Sequence, residues 1–305
     1  MNIMFTIVKN HKEANAITHA GSFHADDVFA SVFLSKLFDI KLYRTNEINE
    51  VENIQDKIVY DIGGGEFDHH DKLAKVRLNG IKYSSFGLLF EKFGPKYLHQ
   101  KQIEKVDDCY QAFLKEFVIQ IDAVDNGFFP PNHKEYITKT LDDVIGLFNK
   151  TWQEEVDNDE MFYKAFLVAE QIFDRIEKRV VDKLAAKQKV DEAISESKNH
   201  ILYLKEYMPF MDFILTSSSP HASTIYFAIF PSNRGGYHIR TIKRAIGSHE
   251  NRLNFPTEWG GKTKEELVAL TNIKSFHFCH SGLFLCSCET LEDAYQIASL
   301  AIQKK

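Results

Sequence analysis

Short apolar runs typical of buried strands alternate with amphipathic helical segments along about the first 130 residues of this chain. Ile58–Ile62 predicts a buried strand that ends in a glycine turn. Ser84 and Ser85 stand where an N-cap is expected ahead of an apolar helix, and a later amphipathic helix should stop at Asn126 and Gly127. This alternation predicts an α/β fold with a mainly parallel sheet.

The chain changes character at about residue 151. Residues 151–198 contain no glycine or proline and many charges, so we expect one or two long helices. Strand-like pieces return from about residue 200, in "HILYLKEY", "DFILTS", "TIYFAIFPSN", "YHIRTIK" and "FHFCHSGLFLCSC", before a final helix. We therefore predict an N-terminal α/β domain over 1–150, a helical connection over 151–199 and a smaller α+β domain over 200–305.

Charge and cysteine usage narrow the classes of function. The formal net charge of -6 gives no overall basic field, so a nucleic-acid substrate would need a local positive groove or bound metal ions. The four cysteines do not form an extracellular disulfide framework. The N-terminus lacks the layout of a signal peptide, and no apolar run approaches the ~20 residues of a membrane span. We expect a cytoplasmic protein with no membrane partner.

Four polar clusters lie at the ends of the predicted N-terminal elements. Their members are His19, His24, Asp26 and Asp27; Asp61; Asp68, His69, His70 and Asp71; and Asp122 and Asp125. Each alone fits an ordinary turn or surface position, but function gathers at the carboxyl ends of strands in an open α/β sheet. Mixed imidazole and carboxylate ligands suit Mn²⁺, Zn²⁺ or Fe²⁺, whereas carboxylates alone favour Mg²⁺. So many ligands suit two ions about 3.5–4 Å apart with one bridging carboxylate.

The clusters carry a resemblance to a known superfamily. "DHH" at 68–70, with His19, His24 and Asp26 upstream and Asp61 between, resembles the DHH phosphoesterase superfamily. The chain is most similar to its melanocyte-proliferating-gene (Myg-type) family, through "THAGSFHADD", "YDIGGGEFDHH", "YSSFGLLFEKFG", "IDAVDNG", "FPTEWGGKTKEEL" and "FCHSGLFL". These pieces, in order and approximate spacing, cover nearly the whole chain.

The resemblance implies a role for each candidate residue. The implied ligands are His19 and His24 for the first ion, Asp26, His69 and one of Asp122 or Asp125 for the second, and Asp61 as the bridge. We favour Asp122, because Asp125 precedes the Asn-Gly stop and fits a helix end equally well. Asp61, His69 and His70 would be catalytic, with His70 facing the substrate phosphate or a ligand. Most of the superfamily has aspartate where this chain has His24, a change that favours softer ions.

Further residues are candidates for substrate contacts. Ser84 and Ser85 either direct a helix N-terminus at a phosphate or form a plain N-cap. In DHH enzymes a glycine-rich segment of the C-terminal domain contacts the substrate, and "GGYHIR" is similar in position. Arg240 there suits a bidentate phosphate contact and His238 would assist it, although a hairpin with a solvated charged face is the alternative. His280 is a further candidate.

The resemblance implies a metal-dependent phosphodiester hydrolase that trims short RNA from its 3′ end through a two-metal-activated water. Mn²⁺ is the first expectation for both ions, with Mg²⁺ and Zn²⁺ as alternatives. Short RNA or another phosphodiester is the expected partner, and a homo-oligomer is left open. One alternative is a hydrolase of a small phosphoester, such as pyrophosphate or a cyclic dinucleotide. The other is a regulatory module that binds a nucleotide with metal and turns nothing over.

Overall fold

The computed structural model describes residues 4–70, 74–103 and 105–304. The chain forms two compact units, Met1–Val181 and Asp182–Lys305, and one helix, Asn158–Glu196, runs from the first into the second. The predicted α/β class is confirmed, while the division at residues 150 and 199 stays a prediction. Across the described ranges, no helix is both long enough and apolar enough to cross a bilayer.

The first unit contains a four-stranded parallel sheet. Its strands are β1 (Phe5–Ile7), β2 (Ala16–Thr18), β3 (Ile40–Arg44) and β4 (Ile58–Val59). The spatial order is β1-β3-β2-β4, so β2 pairs directly with β4. The predicted strand at 58–62 is shorter than expected, because Asp61 has a left-handed φ of 59° that a strand does not accommodate.

The described residues of this part of the chain form six α-helices, the last of which continues beyond Val181. They are α1 (Ala25–Ser35), α2 (Ser85–Gln100), α3 (Val106–Phe113), α4 (Ile119–Asp125), α5 (Leu141–Gly146) and α6 (Asn158–Glu196). A π-helical turn joins α3 to α4, so the predicted helix over this segment is interrupted once. Every residue of α1 is buried, and its Phe33 packs against Phe86 and Phe90 of α2. This packing holds α1 against α2.

The second unit contains a mixed five-stranded sheet. Its strands are β5 (Ile201–Tyr203), β6 (Phe227–Pro231), β7 (Tyr237–Thr241), β8 (Phe278–Cys279) and β9 (Leu285–Cys288). The order is β5-β6-β7-β9-β8, with only β5 and β6 parallel. Its helices are α7 (Met211–Thr216), α8 (Pro220–Thr224), α9 (Lys264–Thr271) and α10 (Leu291–Gln303).

One strand prediction in the second unit was wrong. "DFILTS" forms the short helix α7, in which the Ile214 N–H donates to the Phe210 carbonyl oxygen at 3.0 Å. A short apolar run does not distinguish a strand from one helical turn by its periodicity alone. The remaining strand-like pieces match β5 to β9. Cys279, Cys286 and Cys288 are buried free thiols within the apolar core of this unit.

Candidate metal centre

Two neighbouring strands bring the first histidine and the central aspartate together. His19 follows β2 directly, and Asp61 comes two residues after β4, which pairs with β2. Because parallel strands end at the same edge of a sheet, His19 Nε2 lies 3.2 Å from Asp61 Oδ2. Asp26 and Asp27 lie in the first turn of α1, the helix that follows β2.

A glycine-containing turn returns the DHH segment to Asp61. The Asp61 N–H donates to the Phe67 carbonyl oxygen at 3.0 Å, and His69 Nε2 then lies 3.0 Å from Asp61 Oδ1. A left-handed backbone on a non-glycine residue costs about 1–3 kcal/mol and is concentrated at functional sites. Asp61, with a φ of 59°, is such a residue. The strained turn places its carboxylate between two imidazoles.

Asp68 organises the same turn without joining the cluster of ligand atoms. Its Oδ2 accepts the Gly64 N–H at 2.7 Å, and its Oδ1 lies 2.7 Å from His70 Nδ1. The His70 side chain is 64% exposed, with Nδ1 held by this carboxylate. The Nε2 atom of His70 is therefore the nitrogen left for an outside ligand. Asp71 lies outside the described residues.

Among the residues that the structure describes, three groups of side chains could hold a metal ion, each with its ligand atoms within 4.8 Å of one another. The groups are Asp61, His69 and His70; His19, Asp27 and Asp61; and His24, Asp26 and Asp125. Asp61 belongs to two of them. A carboxylate shared between two groups is the arrangement that a bridged pair of ions requires.

Asp26 is the clearest sign that a cation belongs here. It is 1% exposed, and neither of its carboxylate oxygens has a hydrogen-bond partner within the part of the chain that the structure describes. His69 links this carboxylate to Asp125, with Nε2 3.7 Å from Asp26 Oδ2 and Nδ1 3.3 Å from Asp125 Oδ2. A buried carboxylate that accepts no hydrogen bond is costly unless enough positive charge pairs with it. The residues present fit a divalent ion.

The pKa shifts reflect the same crowding of negative charge. Burial raises the pKa of Asp26 well above its ordinary value, and the charges of Asp61 and Asp125 add to the rise. Burial likewise raises the pKa of Asp125, to about 6. Burial alone would lower the pKa of His19, but hydrogen bonds to Asp27 and Asp61 raise it to about 10. Divalent cations would relieve the repulsion that these shifts report.

Asp122, which the sequence favoured as a ligand, has a different position. Its Oδ1 accepts the Ser84 N–H at 3.0 Å and the Ser84 hydroxyl at 2.8 Å, and its Oδ2 accepts from Arg77 Nε at 2.5 Å. A side chain at Gly87 would place its Cβ 2.1 Å from Asp122 Oδ1, so glycine permits this close approach. Asp122 ties α4 to the start of α2. Asp125, and not Asp122, lies in a candidate ligand group.

The comparisons with known proteins identify the family of this chain. A family model described as "MYG1_exonuc: Uncharacterised protein family (UPF0160)" matches residues 15–302. The chain belongs to the MYG1 family. The resemblance to the Myg-type family is thereby confirmed, while its placement in the DHH superfamily stays a prediction. No solved structure matches this MYG1-family chain significantly.

The relatives of this MYG1-family chain are similar over almost their whole lengths. The MYG1 protein of Dictyostelium discoideum is 27% identical over 310 residues, covering 92% of this chain and 94% of the relative. The MYG1 exonuclease of Rattus norvegicus is 28% identical over 324 residues, covering 94% and 84%. The MYG1 protein of Chlamydia trachomatis is 28% identical over 301 residues, covering 94% and 96%.

Two details of the MYG1-family site differ from the implied ligand set. His19 and His24 lie in separate groups, with ring centroids 6.4 Å apart, instead of sharing one ion. Asp27 was outside the implied set, yet its Oδ2 lies 3.2 Å from His19 Nε2. Asp27 also accepts the His24 N–H at 2.9 Å as part of a capping box. The sequence signal for this role of Asp27 was the pair of aspartates in "HADD". Asp27 caps α1 with one carboxylate oxygen and directs the other at His19.

The two serines have distinct partners. Ser84 is the N-cap of α2, and its hydroxyl oxygen accepts the Gly87 N–H at 3.2 Å. The same hydroxyl donates to Asp122 Oδ1. Ser85 donates its hydroxyl to Asp61 Oδ1 at 3.1 Å and so orients the shared carboxylate. Both serines are buried. Their hydroxyls are therefore used to position aspartates in the structure.

The remaining substrate candidates lie in the second unit. His238 Nδ1 is 2.8 Å from the Ser287 hydroxyl, and His238 lines a cavity of about 820 Å³ together with Arg234 and His277. Arg240 lies two residues further along β7, opposite Leu285 of β9. His280 accepts the Gly282 N–H on its Nδ1 at 2.9 Å in the turn between β8 and β9. The structure brings His238, but not Arg240 or His280, into the lining of this cavity.

Proposed function

We propose that this MYG1-family chain is a metal-dependent phosphodiester hydrolase that removes nucleotides from the 3′ end of short RNA. The sharing of Asp61 between two candidate ligand groups is the observation that carries the proposal. The relatives from Rattus norvegicus and Mus musculus bear the name MYG1 exonuclease, which supports the nuclease class. Short RNA suits an acidic chain of net charge -6, because phosphate contacts accumulate with substrate length.

The residues divide the work of binding and orientation. Two divalent ions at such a site polarise a phosphate and supply a hydroxide nucleophile at neutral pH. His19, Asp27 and Asp61 would hold one ion, and His24, Asp26 and Asp125 the other. Asp61 Oδ1 and Asp26 Oδ2 lie 3.0 and 3.7 Å from the same atom, His69 Nε2, so Asp61 would also face the second ion. His69 contacts Asp61 through one ring nitrogen and Asp125 through the other, so it fixes both carboxylates. Ser85 also helps to orient Asp61, because its hydroxyl donates to Asp61 Oδ1.

The substrate contacts follow from exposure and charge. His70 is exposed and anchored by Asp68, so we assign its Nε2 to the substrate phosphate. In the second unit we assign the cavity lined by Arg234, His238 and His277 to the nucleic-acid chain, since Arg and His side chains can donate to phosphate oxygens. Arg240 and His280 would extend this contact surface along β7 and the turn between β8 and β9.

A single assay tests the proposal. The protein is stripped of metal, then Mn²⁺, Mg²⁺ or Zn²⁺ is added with short RNA and DNA oligomers labelled at either end. We expect a stepwise ladder from the 3′ end with Mn²⁺, and a loss of about 10³-fold in rate in Asp61→Ala. Glu66→Ala is the matched control, because Glu66 lies in the same turn but pairs with Lys92 at the surface.

Other outcomes would select a different function. A rate near that of the unmodified protein in Asp61→Ala would refute the two-metal mechanism. Phosphate release from pyrophosphate or a cyclic dinucleotide, with every oligomer left intact, would make the chain a small-phosphoester hydrolase. Tight nucleotide binding with no turnover under any of the three metals would make it a regulatory module.

A further inference from the structure

An apolar pocket lies beside the last turn of α4, the turn that carries Asp125. Its volume is about 560 Å³, within the range of small-molecule sites. Ile121 and Val124 of α4 form one wall, and Phe128 and Phe129 of the following loop form the next. Nothing in the proposed chemistry uses this pocket.

The helix stop that follows Asp125 also builds the pocket. Gly127 has a φ of 85°, and its N–H donates to the Val124 carbonyl oxygen at 3.0 Å. The Phe128 N–H donates to the Ala123 carbonyl oxygen at 2.8 Å, which completes a Schellman motif. The chain therefore folds back on α4 at once. Phe128 is fixed beside the helical turn that carries Asp125.

The opposite wall of the pocket contacts the segment that carries His24 and Asp26, the other two members of the ligand group of Asp125. Asp142 lines the pocket, and its Oδ1 accepts the Ala25 N–H at 2.8 Å. Ala25 lies between His24 and Asp26 in the chain. Both walls are thus anchored to residues that adjoin the candidate ligands.

The lining suits a flat aromatic ligand with a polar edge. Phe128 is 59% exposed and Phe129 is 66% exposed, although both line the pocket. Exposed aromatic rings next to a nucleic-acid site provide faces on which any base can stack. Gln120 and Asp142 add an amide and a carboxylate that can pair with the edge of a base.

We infer that this pocket binds the base of the nucleotide whose phosphate is held at the metal centre. The inference rests on the proposed function for the identity of that phosphate. Because stacking requires only an aromatic face, the subsite should accept all four bases with small differences in affinity. It would give the protein its preference for a nucleotide over a bare phosphoester.

The first test measures binding without turnover. Adenosine 5′-monophosphate and ribose 5-phosphate are titrated into the Mn²⁺-loaded protein by calorimetry. We expect the nucleotide to bind about tenfold more tightly, and this advantage to vanish when Phe128→Ala and Phe129→Ala are combined. Trp152→Ala is the control, since Trp152 is 90% exposed and lies outside this lining. Equal affinity for the two probes, or binding of neither, would overturn the inference.

The second test separates this inference from the proposed function. RNA oligomers with and without a base on the 3′-terminal nucleotide are compared as substrates. If both oligomers are cleaved at the same rate, and the double phenylalanine variant behaves alike, the base subsite is refuted while the proposed nuclease activity is supported. Tighter binding of the nucleotide with no cleavage of any oligomer would do the reverse. If the double variant changes only the oligomeric state, the two rings belong to an interface between copies and the subsite is refuted.

Discussion

Both units have an apolar core, but they differ in the polar and charged side chains that they bury. The buried charged residues of the described chain all lie in the first unit, namely Asp26, Asp27, Arg44, Asp61 and Asp122. In the described part of the second unit the buried polar side chains are Thr241, Ser275 and Ser287, none of which is charged. Burial of apolar area accounts for the second unit. The first unit has to balance charge as well.

Within the first unit, the partner of each buried carboxylate indicates its role. Asp122 is neutralised inside the protein by Arg77 and two donors of Ser84. Asp26 has no hydrogen-bond partner for either oxygen within the described residues. A carboxylate that the protein itself satisfies supports the structure, whereas one that it leaves unsatisfied is prepared for a cation. Sequence spacing alone does not separate these two cases.

The largest expected effects come from exchanging the two helix aspartates for asparagine, one at a time. Asp125→Asn should lower the exonuclease rate by about 10²–10³-fold and leave the unfolding free energy of the metal-free protein unreduced, since it removes a crowded charge. Asp122→Asn should lower that free energy by roughly 3 kcal/mol, because it leaves the Arg77 guanidinium buried without its carboxylate. Rates and urea unfolding of both variants are the measurement. Loss of metal binding in Asp122→Asn at unchanged stability would mean that Asp122 is a metal ligand and has no structural role.

A core change in the second unit should act on stability alone. Ile239 is fully buried on β7 among the residues of the apolar core. Ile239→Ala should lower the unfolding free energy by about 2–5 kcal/mol through lost burial and the cavity left behind. Hydrogen exchange should report the loss in the second unit, while the Mn²⁺ content per chain stays at the unmodified level. A drop in Mn²⁺ content would show that the centre depends on the second core.

The smallest expected effect concerns pH and His238. Burial lowers the pKa of His238 below its ordinary 6.5, and the charges of His277 and Arg234 lower it further. The unfolded chain then binds this proton more readily than the folded one. The stability is therefore complete above pH 6.5 and falls as the pH drops below it. His238→Gln should reduce the difference in melting temperature between pH 8 and pH 5, and an unchanged difference would contradict the assignment.

Local chain signals account for the parts of the site that the sequence predicts. The N-cap at Ser84 and the stop at Asn126 and Gly127 depend on a few neighbouring residues, and the structure has both. The convergence of His19 and Asp61 follows from the rule that parallel strands end at one edge. These features need no knowledge of distant contacts.

The choice between Asp122 and Asp125 depends on a distant residue and so escaped prediction. The two aspartates are three positions apart on a helix, which places both toward similar surroundings. Arg77, which comes 45 residues before Asp122, captures one of them. No local pattern around Arg77 announces that contact. The separation of His19 from His24 likewise depends on how the turn after β2 is folded.

Metal content tests the central claim most directly. The purified protein is loaded with Mn²⁺, desalted and analysed for metal per chain, alongside Asp61→Asn and Glu66→Ala. The account predicts two equivalents in the unmodified protein and in Glu66→Ala, and a clear loss in Asp61→Asn, because Asp61 is shared by two ligand groups. No stoichiometric metal in the unmodified protein, or two equivalents retained in Asp61→Asn, would contradict a centre bridged by Asp61.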